Sequence, residues 1–214
     1  MDDFSNGVFV GITQTFFGHP FDTLKVIKQT GKNIKLDKFI LPHLYKGISF
    51  PLVGSSILNS VQFGTYQLLT EKYNFHSLTA GFLSGSISSF LINPLDIYKI
   101  KYQLQNEKKK INMWRGLHIT FFRESISTSL YFSSYHYFNE DYNSFISGGF
   151  AGILSWLITY PIDVIKTRIQ SNQNLSVISA YRIGNIWNGL GFCLFRSFIV
   201  NGSGFFVYDY LKDN

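Results

Sequence analysis

Pro20-Phe21-Asp22-Thr23-Leu24-Lys25, Pro94-Leu95-Asp96-Ile97-Tyr98-Lys99 and Pro161-Ile162-Asp163-Val164-Ile165-Lys166 are three copies of one pattern, Pro-x-Asp-x-x-Lys. The register extends in both directions. Gln follows each proline at the ninth position (Gln29, Gln103, Gln170), and Gly precedes it at the thirteenth and ninth (Gly7 and Gly11, Gly81 and Gly85, Gly148 and Gly152). Further on, each copy reaches aromatic-x-Gly: Tyr45-Lys46-Gly47, Trp114-Arg115-Gly116 and Trp187-Asn188-Gly189. Phe and Tyr then recur 16 and 19 residues after these glycines, as Phe63 and Tyr66, Phe132 and Tyr135, Phe205 and Tyr208. Self-similarity at a fixed register is the signature of a repeat architecture. The chain therefore reads as a single domain, 1–214, of three repeats, 1–73, 74–141 and 142–214.

Each repeat holds two helical segments. Gly7 to Gln29 would span about 34 Å as a helix, enough to cross a hydrocarbon core of about 30 Å. Composition points to lipid: charged residues are 15% of the chain and aromatics 18%, with 22 Phe and 13 Tyr, against about 25% charged in an average soluble domain. A mean hydropathy of only +0.07 argues against helices that are apolar all round. It fits helices with one face on lipid and one on a polar path. The fold class predicted is all-α integral membrane, with six transmembrane helices in three tandem pseudo-threefold repeats around a central cavity.

The net charge of +6 is segregated. Lys and Arg concentrate in 25–46, 99–115 and 166–182, whereas Asp2, Asp3, Glu71, Glu140, Asp141, Asp209 and Asp213 gather, with Lys72 and Lys212, at the other helix ends. That is the positive-inside pattern of a multispanning protein, and no aromatic-basic groove motif points to nucleic acid. Cys193 is the single cysteine, so no internal disulfide is possible. The acidic start, Met1-Asp2-Asp3, fits neither a secretory n-region nor an Arg-rich transit peptide, so any targeting is internal. The five histidines lack ligand spacing, and no nucleophile elbow, P-loop or dinucleotide fingerprint occurs. Neither an enzyme, a metal site nor a cofactor is expected.

The recurring residues carry distinct physical roles. Gly at i and i+4 lets helix backbones approach closely. Pro20, Pro94 and Pro161, inside spanning helices, each remove a backbone hydrogen bond and predict a kink that draws the helix ends together. Asp22, Asp96 and Asp163 stand three residues before Lys25, Lys99 and Lys166, and threefold recurrence favours pairing of each Asp with the Lys of the next repeat. Such a ring has a gross attraction on the order of 4 kcal/mol per pair at an effective dielectric near 20, much of it cancelled by desolvation. That residual strength suits a gate.

These motifs resemble the signature of the mitochondrial carrier family over essentially the whole chain, although Pro-to-Pro spacings of 74 and 67 are short for it. The resemblance implies a transporter of the mitochondrial inner membrane, a host's if the source is a virus or parasite, working as a monomer on a small-molecule substrate. The shortened loops predict that the family's short loop helices are reduced or missing. By resemblance, the Asp-Lys ring is the matrix gate and Gln29, Gln103 and Gln170 brace it from beneath. The family's cytoplasmic motif, Tyr-acid-x-x-base, is complete only at Tyr208-Asp209-x-x-Lys212, with Gln67/Thr70 and His136/Asn139 in the other positions. Asp209 and Lys212 are thus the candidate cytoplasmic gate, and its incompleteness predicts a resting preference for the cytosol-open state. Membrane lipid, cardiolipin in particular, is expected at Gly47, Gly116 and Gly189.

Seven residues after the repeat glycines stand Gly54, Arg123 and Arg196, with Glu124 beside Arg123. The resemblance makes Gly54, Arg123, Glu124 and Arg196 the substrate contacts at mid-membrane. Arg offers a planar fork to a carboxylate or phosphate and Glu receives an ammonium, so the substrate is amphoteric. Arg123-Glu124, Tyr45 to Pro51 and Asn59 to Gly64 resemble the carnitine, acylcarnitine and basic amino-acid branch, and Gln62 reads as core packing first and as an added hydrogen bond at the site second. The alternatives are a nucleotide or deoxynucleotide carrier using Arg123 and Arg196 for phosphates, and a carrier-derived scaffold that no longer transports.

Overall fold

The computed structural model describes residues 3–29, 45, 48–103, 112–171, 175–187 and 189–213, with side chains for all of these except 3, 22–29, 49–50, 98–103, 171 and 213. Six long helices result: α1 (Asp3–Gln29), α2 (Ser49–Gln67), α3 (Ser77–Gln103), α4 (Leu117–Phe138), α5 (Ser144–Ser171) and, after a short α6 (Val177–Arg182), α7 (Leu190–Asp213). A π-helical turn, Leu68–Lys72, prolongs α2. No strand occurs among the described residues. The long helices pack in sequence order, α1 on α2 through to α5 on α7, and α7 returns to α1, so they close into a ring. Pro20, Pro94 and Pro161 lie inside α1, α3 and α5.

The repeated glycines form the seams. A Cβ on Gly7 would stand 2.6 Å from the Ser60 Cα and one on Gly11 2.6 Å from the Ser56 Cα, so α1 and α2 touch backbone to backbone and run antiparallel. Gly81 meets Ser129 and Gly85 meets Glu124 and Ser125 in the same sense, whereas Gly148 and Gly152 abut mainly the side chains of Phe205, Asn201 and Ser197. Close approach of this kind is how helices associate where burying apolar surface gives no driving force.

Inside and outside are reversed relative to a soluble domain. Ser84, Ser88, Ser89, Ser125, Ser147, Thr120 and Thr159 are wholly buried, whereas Phe16, Phe90, Phe122, Phe195 and Phe206 are exposed. The buried hydroxyls close on one another or on backbone: Ser86 with Ser125 at 2.8 Å, Ser127 with Ser155 at 2.8 Å, Ser84 to the Gln62 carbonyl at 2.6 Å. An apolar shell over a hydrogen-bonded polar interior is what a bilayer demands, because lipid offers polar groups no partner. Segments Ser77–Ile97, Ser144–Gln170 and Leu190–Lys212, in α3, α5 and α7, are long and apolar enough to cross a membrane. The shortened spacing predicts reduced loop helices, yet α6 persists. Ser176 caps it, its Oγ accepting from the Ser179 amide at 3.2 Å while the Ser179 hydroxyl accepts from the Ser176 amide at 2.9 Å.

The seams set a measurable asymmetry among glycines. Gly11→Ala is expected to cost about 1–3 kcal/mol by forcing two helix backbones apart, read as a lower melting temperature in detergent. Gly54→Ala, with nothing within 4 Å of the added carbon, should leave melting unchanged or raise it, since Gly inside a helix costs about 0.5–1 kcal/mol relative to Ala.

Candidate functional site

Midway along α4, Arg123 and Glu124 are consecutive, and one helical step of about 100° would ordinarily point them apart. Both nevertheless face the interior. Glu124 is 5% exposed and accepts from Arg123 Nη1 at 2.6 Å. The Arg123 guanidinium lies 4.7 Å from the centre of the Trp156 ring of α5, a cation-π contact that steadies its plane. Its Nε stands 3.3 Å from an Asp163 carboxylate oxygen. From α5, Lys166 reaches Asp96 of α3 at 2.7 Å and Glu124 at 3.4 Å. Two cations, Arg123 and Lys166, thus face three carboxylates, those of Asp96, Glu124 and Asp163.

Asp96 with Lys166 is a pair between an Asp and the Lys of the following copy. Asp163 meets Arg123. The side chains of Asp22, Lys25, Lys99, Gln29 and Gln103, and the whole of Gly47, lie outside the described residues. The Gln170 amide donates to Asn93 Oδ1 at 3.1 Å and Thr120 Oγ1 at 3.4 Å. Asn93, next to Pro94, also accepts from Thr120 at 2.8 Å and donates to the Met113 carbonyl at 2.8 Å. Gln170 therefore ties α3, α4 and α5 beside a proline that leaves helix backbone short of a partner. Gly116 and Gly189 open α4 and α7 with φ of +73° and +89°, a left-handed backbone that a side chain would strain.

Arg123 and Glu124 line one wall of a cavity of about 150 Å³. The rest of it is uncharged. Gln14, Asn59, Gln62 and Asn201 supply four amides, joined by Ser127, Thr128, Tyr131, Ser155 and Trp156. Gln14 donates to Asn201 Oδ1 at 3.4 Å and the Tyr131 hydroxyl at 3.5 Å, and Gln62 to Thr128 Oγ1 at 2.9 Å. Gln62 is thus a lining residue rather than simple core packing. Gly54 is not part of this wall, and Arg196 lies against Gly18, where an added Cβ would come within 3.1 Å of its Nη2. The sequence reading passes over Gln14, Asn59, Trp156 and Asn201, although a signal exists for two of them. Asn59, Thr128 and Asn201 each follow a repeat glycine by twelve residues, and all three line the cavity.

Residues 70–113 and 139–214 match the family model of mitochondrial carrier proteins, more than half of the chain. The chain belongs to the mitochondrial carrier family. It is similar to a mitochondrial arginine transporter of Arabidopsis thaliana, 28% identical over 97% of this chain and 89% of the relative. Mitochondrial substrate carrier family protein L of Dictyostelium discoideum is 31% identical over 97% of this chain and 93% of its own. A mitochondrial basic amino acids transporter of Homo sapiens is 28% identical over 79% and 72%. The chain is accordingly a transporter and not an enzyme, a multi-pass protein of the mitochondrial inner membrane.

The carrier is closed at the end opposite its Pro-x-Asp-x-x-Lys segments. Phe63, Phe132 and Phe205, from α2, α4 and α7, are 1–2% exposed and meet edge to face, 5.0 Å between Phe63 and Phe132 and 5.6 Å between Phe63 and Phe205. Tyr66 stacks on Phe132 at 3.8 Å and Tyr135 on Phe205 at 3.5 Å, while Tyr208 packs 4.8 Å from Phe63. The expectation is an open cytosolic mouth at rest; in this structure the end with the incomplete acid-base motif is instead filled by six aromatic rings. Asp209 and Lys212 do not close it by pairing with motif partners either. Asp209 accepts from the Tyr135 hydroxyl and from Ser144 at 2.6 Å, and Lys212 meets Glu71 at 2.9 Å. The Lys212 ammonium and the Gln67 amide hold the Glu71 carboxyl, beyond the end of α2, below the usual carboxylate range.

The charge count at the centre sets an order of tolerance. Glu124→Gln leaves two cations with two carboxylates, whereas Arg123→Gln leaves one cation with three. Breaking a buried ion pair by removing one partner costs about 3–5 kcal/mol. Arg123→Gln is expected to lose that much in detergent melts of the carrier, and Glu124→Gln distinctly less. The reverse order would mean that the excess negative charge is neutralised elsewhere.

Proposed function

We propose that this carrier moves a small amphoteric metabolite, a basic amino acid first among them, by alternating access through a ring of six membrane-spanning helices. The reading rests on one observation: the adjacent Arg123 and Glu124 are the charged residues on the wall of a cavity otherwise lined by amides and hydroxyls. A substrate carboxylate would take the Arg123 fork and an ammonium would take Glu124. Gln14, Asn59 and Asn201 would receive the far end of the molecule, where neutral amides suit a guanidinium, a second ammonium or a hydroxyl. The excess of carboxylates over cations among Arg123, Glu124, Asp96, Asp163 and Lys166 favours a substrate of net positive charge. The names of the arginine and basic amino acid transporters above favour the same class.

Binding and gating would share atoms. Arg123 is held by Asp163 and Glu124 by Lys166, so substrate groups that replace these contacts would release Asp163 and Lys166 from the site. Asp96 with Lys166 would be one pair of the matrix gate, Asp22, Lys25, Lys99 and Asp163 supplying the others. A ligand can shift such an equilibrium only by the difference in its affinity for the two states, and exchanging ionic partners supplies one. The three repeats would work as a monomer, with cardiolipin at Gly47, Gly116 and Gly189. The nucleotide alternative requires Arg123 and Arg196 to act together on phosphates, and Glu124 beside the first of these disfavours an anion.

Thermal-shift measurements on the solubilised carrier test the substrate class, because a ligand that binds the folded state raises melting by mass action. Arginine and lysine are expected to raise the melting temperature, and Glu124→Gln to abolish the rise. Stabilisation by nucleotides that survives Glu124→Gln would replace this reading with a phosphate carrier.

A further inference from the structure

The mouth packed by Phe63, Phe132 and Phe205 also carries polar contacts at its rim, and these join helices that are not neighbours. In the ring, α2 lies between α1 and α3, and α7 between α5 and α1, so the backbones of α2 and α7 do not approach closely and the two helices meet only through side chains such as Phe63 with Phe205 and Tyr208. Two rungs nonetheless connect α2 and its π-helical extension to α7. The Tyr208 hydroxyl donates to Gln67 Oε1. Four residues on along both helical segments, Lys212 Nζ donates to Glu71 Oε1 at 2.9 Å. Within α2 the Gln67 amide donates to the same Glu71 oxygen at 2.8 Å, and Gln67 is 4% exposed. The four side chains form one connected ladder across the mouth.

Glu71 is not where the Tyr-acid-x-x-base register would put a partner for Lys212. That register offers Gln67 and Thr70. Gln67 carries no charge, and Thr70 spends its hydroxyl on the Tyr66 and Gln67 carbonyls of its own helix, each at 3.1 Å. The π-helical turn over Leu68–Lys72 explains how residue 71 reaches the place instead. A π turn accommodates one more residue than an α turn, and such turns recur at functional positions. Wound this way, the chain brings Glu71 over Gln67 and toward α7.

We propose that Glu71 and Lys212 form a latch that holds this mouth of the carrier closed, with Gln67 and Tyr208 positioning it. Because the ladder spans helices separated by α1, any outward swing of α2 or α7 that admits substrate must break it. The aromatic rings beneath resist opening from every direction, whereas the latch acts between two helices and is made and broken as a unit. Its charged rung is half exposed on both sides, which keeps it weak enough to cycle.

Accessibility of the cavity to a membrane-impermeant maleimide tests the latch without any substrate, so the result does not depend on the amino-acid reading. Ser127, which lines the cavity, is changed to Cys in a Cys193→Ser background, and labelling is followed from the cytosolic face in mitoplasts. Glu71→Gln and Lys212→Gln are each expected to speed labelling by about 2- to 5-fold, the range that an exposed ion pair can supply. Glu71→Lys combined with Lys212→Glu should return the rate to within about twofold of the parent, since the opposite charges still face each other. Glu140→Gln, an exposed acid in the turn after α4, should leave it unchanged. Unaltered labelling in both single variants overturns the proposal, as does a charge-swapped variant no slower than the singles, because a fold merely loosened by substitution would not be repaired by exchanging charges.

Discussion

Charge held inside a membrane protein constrains everything packed around it. Asp96, Arg123, Glu124, Asp163 and Lys166 come from three helices, and the largely buried members, Arg123, Glu124 and Lys166, would each cost several kcal/mol to bury alone. They persist because α3, α4 and α5 bring them within ion-pair distance, and that placement depends on helix seams narrow enough to keep the cluster together. Gly81 and Gly85 press α3 against α4 at Ser129 and Glu124, so the backbone that carries the central acid is itself the packing partner of a repeat glycine. Asn93, Thr120 and Gln170 then fix the same three helices beside Pro94. The ionic centre, the glycine seams and the amide brace are parts of one arrangement, and loosening any of them exposes unpaired charge.

Much of the fold was legible because threefold recurrence separates what packing needs from what is incidental. Glycines spaced by four in each copy mark the seams, and Phe and Tyr sixteen and nineteen residues beyond the repeat glycines mark a layer that closes around the axis. The centre was legible only in part. Arg123 and Glu124 stand out because charge at that depth demands a reason, whereas Gln14 and Asn201 are neutral and ordinary in a chain rich in amides. Offsets from the repeat glycines assume that equivalent residues point alike. That assumption holds at Asn59, Thr128 and Asn201, which all line the cavity, whereas Arg196 packs beside Gly18. Glu71 was hidden for a different reason: a π turn displaces the register by one residue, and no linear motif registers a change of helical winding.

The two ends of the carrier are held by different physics. Toward the Pro-x-Asp-x-x-Lys end the described contacts between helices include the ion pairs of Lys166 with Asp96 and Arg123 with Asp163, whose strength falls with salt and with competing charge. At the other end aromatic packing dominates. Stacked and edge-to-face ring pairs are each worth about 0.5–1.5 kcal/mol beyond the area they bury, while an exposed ion pair contributes about 0–1 kcal/mol. A mouth sealed by Phe63, Phe132, Phe205 and three tyrosines can therefore lose acid-base partners at residues 67, 70, 136 and 139 and stay shut. What the missing charges would have supplied is direction, a preference for one alignment of helix ends over another, which stacked rings supply poorly because they slide at little cost. Tyr135 and Ser144 on Asp209, with Tyr208 on Gln67 and Lys212 on Glu71, restore that direction with hydrogen bonds and a single charged rung. The sequence thus departs from the family's motif at the residues where aromatic packing has made the full ionic ring dispensable.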